Sequence, residues 1–198
     1  MTITPMFRTI ALISCIISVI LLLVVGIYRT DFLPEKNVVY NSIYTISQLA
    51  YLIGLFYLIE LLKYIGERKI IVVGFYIFAA LVFITSIIGF ASFSPVIMMK
   101  LVTIINILVI SSTIFLIIVS LMIKNPLLVV PFRVLAIVQI FILVITFGVT
   151  LLLAYLAPAY YFNVSRYMHF GGLFITSAIA YIIYASGNLL STDVSRSV

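Results

Sequence analysis

Apolar residues run almost unbroken in six stretches, roughly Thr9 to Ile27, Ile43 to Leu62, Ile70 to Phe90, Val96 to Ile123, Phe132 to Leu156 and Tyr167 to Ser186. A helix crosses the hydrocarbon core with about 20 predominantly apolar residues, so each stretch predicts one transmembrane helix. The breaks carry polar and turn-forming residues: Asp31, Pro34, Glu35 and Lys36 in the first, Gly66, Glu67 and Arg68 in the second, Lys124-Asn125-Pro126 in the fourth. Pro95 and Pro131 stand just before the fourth and fifth stretches, where a missing N–H is tolerated at the first helical position. No segment alternates apolar and polar residues over about ten positions, as a membrane barrel strand would. The expected fold is therefore all-α: a polytopic membrane protein, residues 1–198 forming one membrane-embedded domain, a single bundle of six transmembrane helices. The first run is expected to be a permanent span and not a cleaved signal, because it is long for a signal core and no A-x-A pattern follows it.

Composition strengthens this picture. The chain is 66% hydrophobic and 8% charged, against about 25% charged residues in soluble domains. Its 11 Lys and Arg residues are scattered at the ends of apolar runs, and no basic face interleaved with aromatics exists, so nucleic acid is not an expected partner. The lipid bilayer is. Cys15, alone in the chain, is expected to pack as a small apolar residue. Trp is absent, leaving Tyr to form any interfacial belt.

With six spans both termini share a side. Arg8, Lys63, Arg68, Lys69, Lys124, Arg133 and Arg196 then lie with the termini, and Arg29, Lys36, Lys100 and Arg166 lie opposite. Basic residues favour the cytoplasmic side, which predicts a cell-membrane protein with N-terminus and C-terminus cytoplasmic.

The second and fifth stretches resemble each other at an offset of 91 residues, and so do the third and sixth. Ile46–Phe90 aligned with Ile137–Tyr181 gives 14 identities in 45 positions, including Gln48 with Gln139 and Thr85-Ser86 with Thr176-Ser177. This suggests halves 1–90 and 91–190 related as an inverted 3+3 repeat, an arrangement that builds many transporters. On that basis Gln48 and Thr85 are expected toward the outer leaflet, and Gln139 and Thr176 toward the middle or inner leaflet. Both glutamines should turn into the bundle, since an amide facing lipid would leave several groups unsatisfied. The expected partners are Thr85 or Ser86 for Gln48, and Thr176 or Ser177 for Gln139.

Polar residues within spans form stripes at helical spacing. Thr103, Asn106, Thr113 and Ser120 line one face of the fourth stretch, and Ser165, His169, Gly172 and Thr176 one face of the sixth. The candidate pathway or interhelical polar residues are thus Gln48, Thr85, Ser86, Asn106, Thr113, Gln139, His169, Thr176 and Ser177. Interhelical packing and hydrogen bonding account for such stripes as readily as a solute path does. Glu60, an acid inside a span, has Lys63 three residues on and is expected to pair with it near the membrane surface.

No Ser/His or Cys/His set, paired carboxylates, metal-ligand cluster or phosphate-cradling loop is available, and one His cannot hold a bis-histidine haem. The sequence predicts no catalytic, metal or cofactor site and no enzyme. Two functions stay open. One is a small permease or channel for an uncharged or weakly polar solute. The other is a non-catalytic membrane subunit, sensor input or scaffold that binds partner transmembrane helices, either of other subunits or by self-association.

Overall fold

The computed structural model describes the backbone of residues 3–31, 38–88, 95–156 and 171–196. These residues form six helices: α1 (Pro5–Asp31), α2 (Val38–Tyr64), α3 (Lys69–Ile88), α4 (Pro95–Leu121), α5 (Val129–Leu156) and α6 (Gly171–Arg196). Five contain an apolar segment long enough to cross a membrane, and α4 holds a shorter apolar stretch, Ile107–Leu121, among the described residues. This is a helical membrane bundle, as the pattern predicts.

Helix ends follow local chemistry. Thr4 caps α1, its hydroxyl accepting the Phe7 N–H at 3.2 Å. Gly66 ends α2 with φ of +72°, a left-handed conformation open to glycine. It closes a Schellman turn, in which Glu67 N–H reaches Leu62 O at 3.0 Å and Gly66 N–H reaches Lys63 O at 3.1 Å. The turn aims Glu67 at the α4–α5 connection, where Oε1 accepts the backbone N–H groups of Lys124 and Asn125 at 3.1 and 3.3 Å. Asn125 then holds its own turn by accepting the Leu127 N–H at 3.1 Å.

Each helix packs on its neighbour in chain order, α6 closes the ring against α1, and α2 also touches α6. The dense core lies toward the α2–α3 and α4–α5 turns. Tyr57, Leu58, Phe75, Leu116, Leu128, Phe132 and Ile183 are all buried there, and Phe75 meets Phe132 edge-on at 5.8 Å between ring centres. Small residues bring backbones close, as expected between helices in lipid: Cys15 packs on Gly54, and Phe115 on Gly74. Large apolar side chains such as Ile13, Ile20, Phe56, Ile77, Ile118 and Phe141 point outward, the surface a bilayer would solvate.

Buried hydroxyls join the helices. Ser18 and Ser47, both fully buried, pair across α1 and α2 at 3.3 Å. Tyr57 and Ser186 do so across α2 and α6 at 2.7 Å; Ser186 gives its proton to Ile183 O at 2.7 Å and so accepts that of the Tyr57 hydroxyl. The Arg8 guanidinium donates to Ile183 O and Tyr184 O at 3.2 and 3.1 Å, tying the start of α1 to α6. Tyr57→Phe is expected to lower stability by about 1 kcal/mol, the usual worth of one intramolecular hydrogen bond. Thermal unfolding in detergent, compared with Ser186→Ala and the double variant, would check it; the two losses should not add.

Candidate functional site

Above the dense core the helices part around a cavity of about 280 Å³. Five helices line it: Leu22 from α1; Tyr44, Gln48 and Tyr51 from α2; Phe78, Leu81, Val82 and Thr85 from α3; Val109 and Thr113 from α4; Gly172, Ile175 and Thr176 from α6. On α2 the spacing of four and then three puts Tyr44, Gln48 and Tyr51 on one face. α6 reaches the same level because its register against α2 is fixed lower down, by the Tyr57–Ser186 bond and by Ile179 and Ile183 beside Gly54.

Among the described residues, none that lines the cavity carries a formal charge. The three threonines share one geometry, each hydroxyl donating 2.8 Å to a carbonyl of its own helix: Thr85 to Val82, Thr113 to Val109 and Thr176 to Gly172. With their protons so used, these oxygens offer only acceptor lone pairs to the cavity. The Gln48 amide adds two donors and an acceptor, and the Tyr51 phenol adds a donor. Leu22, Phe78, Leu81, Val82, Val109 and Ile175 make the rest of the wall apolar. Such a surface suits a neutral molecule with one or two hydrogen-bonding groups.

Four residues singled out in the sequence thus converge: Gln48, Thr85, Thr113 and Thr176. Ser86 is buried beside them, its hydroxyl held by Val82 O at 2.7 Å, and does not line the cavity. Ser177 is exposed. The Asn106 side chain and His169 lie outside the described residues. Gln139 is fully buried on α5, and neither its Oε1 nor its Nε2 has a hydrogen-bond partner.

The expected pairings are corrected accordingly. Gln48 shares a cavity with Thr85, but both Thr85 and Ser86 give their protons to Val82 O. Thr176 faces the Gln48 cavity and not a separate inner layer, since α6 sits beside α2 in the register set by Gly54 and Ser186. Its hydroxyl belongs to Gly172 O, so it does not donate to Gln139.

The tyrosines were the residues the sequence reading left out. Their spacing around Gln48 is the signal that could have found them, but membrane tyrosines read first as interfacial anchors. Glu60 sits outside the site: Lys63 Nζ donates to its Oε1 at 2.6 Å and to the Tyr76 hydroxyl at 2.6 Å. Among the described residues no group of three His, Cys, Asp or Glu is placed to hold a metal ion. Comparison of the chain with family models, with curated proteins and with solved structures finds no match.

Proposed function

We propose that this chain is a small permease for an uncharged, weakly polar solute, with the Gln48 cavity as its binding site, and that it works by binding and not by catalysis. The observation that carries this reading is a cavity of about 280 Å³ whose described lining is uncharged, with polar groups from four helices converging on it. Ligand pockets commonly span about 300–1,000 Å³, so the occupant would be a molecule of few heavy atoms.

The dense core supports passage by rearrangement and not through an open pore. A solute in the cavity meets Tyr57, Phe75 and Phe132, all fully buried, and would cross only if the helices repacked, as in alternating access. An inverted relation between residues 1–90 and 91–190 fits the ring order, which is unchanged when every helix is shifted three places. The α2–α6 contact has an α3–α5 counterpart, where Phe75 meets Phe132. The exposed Lys63, Arg68, Lys69, Lys124 and Arg133 gather at the α2–α3 and α4–α5 end, which supports a cell-membrane protein, one embedded domain, with that end and the termini cytoplasmic.

Uptake of radiolabelled urea, acetamide and glycerol into proteoliposomes tests the proposal. At least one probe should enter faster than in empty vesicles, and Gln48→Leu should slow it about tenfold, the effect of losing roughly 1.4 kcal/mol of binding. No uptake of any probe, or uptake indifferent to Gln48→Leu, would overturn the permease reading in favour of a subunit that binds partner helices.

A further inference from the structure

Gln139 is the most anomalous polar group among the described residues. It is fully buried, and both ends of its amide lack a partner. A buried amide without hydrogen bonds destabilises a fold, and an apolar residue of similar size would remove that cost. Packing alone gives no reason for a glutamine here.

Its place in the bundle does. α5 lies in the ring between α4 and α6, and none of its described residues lines the Gln48 cavity. The space at Gly171 on α6 is filled by Ile142 of α5, 3.0 Å from where a Cβ would stand. Consecutive spans run in opposite directions, so one turn from Ile142 along α5 brings Gln139 level with Ile175, one turn beyond Gly171. Counting ten residues from each side of the α4–α5 turn sets Gln139 opposite Ser111, within one turn of Ser112 and Thr113 on α4. Thr113 and Ile175 are both cavity wall. Ser112 gives its proton to Val109 O at 2.9 Å and so has none to donate to the amide oxygen, and the amide nitrogen has no partner either.

We propose that Gln139 is a second solute contact behind the α4–α6 wall of the Gln48 cavity, reached when that wall parts to admit the solute. The proposal rests on the permease reading and narrows it. An amide offers an acceptor and two donors side by side, and the complementary group is another amide. The preferred solutes are thus small neutral molecules bearing a carboxamide or urea group, and simple polyols are poorer ones.

Two measurements test it. In a Cys15→Ser background in proteoliposomes, Gln139→Cys and Ala136→Cys are compared for reaction with a small water-soluble methanethiosulfonate. Ala136 is fully buried one turn away on α5 and serves as the inaccessible control. Gln139→Cys should react at least about tenfold faster, because its thiol is reached from the cavity whereas the control requires local unfolding; equal slow rates would overturn the proposal. This labelling stands apart from transport, so failure of the permease reading and failure of the Gln139 contact are separately visible. The second variant, Gln139→Leu, conserves volume and should unfold at a higher temperature than the parent chain. It should also take up acetamide and urea about tenfold more slowly, the loss corresponding to ~1.4 kcal/mol, with glycerol little changed. Amide uptake equal to that of the parent chain would overturn the proposal.

Discussion

Gly172→Phe is expected to abolish solute uptake while moving the thermal midpoint by less than about 4 °C, the shift that 1 kcal/mol makes in a chain of this size. Gly172 borders the cavity, and a Cβ placed there would rest in ordinary contact with Leu22 Cδ1 at 3.5 Å. A phenyl ring would therefore enter space that is already open, and fill much of a 280 Å³ cavity, without pressing on a neighbouring backbone. The adjacent glycine supplies the contrast. At Gly171 the Cβ would stand 3.0 Å from Ile142 Cγ2 on α5, so Gly171→Phe forces α5 and α6 apart and should lower the midpoint. Uptake into proteoliposomes and unfolding monitored by intrinsic tyrosine fluorescence would separate the two effects. If Gly172→Phe transports normally, the cavity is not on the solute path.

The second large effect concerns the junction of α1, α2 and α6. Gly54→Ala would set a methyl carbon 2.5 Å from Cys15 Sγ and 3.4 Å from Ile179 Cγ2, where optimal separation is about 3.5–4.0 Å. Overpacking of this kind costs about 1–3 kcal/mol, or roughly 3–10 °C in midpoint. Gly54→Leu, with its larger side chain, should prevent assembly of the three helices. The decisive comparison is the double variant Cys15→Ala with Gly54→Ala. Removing Sγ vacates the position the new methyl needs, so the pair should recover most of the stability lost by Gly54→Ala alone. Strict additivity of the two changes, measured as unfolding midpoints in detergent, would mean that this close approach does not limit the packing.

Much of the architecture was legible in the chain. Six apolar runs gave six helices because a bilayer leaves a spanning backbone few alternatives, and a continuous apolar run can satisfy its hydrogen bonds only within itself. The helix punctuation was legible too: Gly66 after α2, and Lys63 within reach of Glu60, are local relations that need no tertiary information. Turning both glutamines away from lipid followed from the same desolvation argument, and Gln48 and Gln139 are half-buried and fully buried.

Which polar groups meet was not legible. Thr176 was expected beside Gln139, on the evidence of a repeat that fixes positions along the chain but not the register between helices. That register is decided by contacts between residues far apart in sequence: the Tyr57–Ser186 bond, Gly54 against Cys15 and Ile179, and Arg8 on the α6 carbonyls. Together they slide α6 along α2 until Thr176 reaches the level of Gln48. The cavity has the same origin. Each of its residues belongs to an apolar or weakly polar helix face that could equally have packed, and only the divergence of five helices above the Tyr57–Phe75–Phe132 core leaves space among them. The amino-acid sequence by itself determined the solvent, the number of helices and their ends, because those depend on local hydropathy and backbone chemistry. The tertiary structure alone decided the register, the cavity and the isolation of Gln139, because those depend on how closely helix surfaces approach.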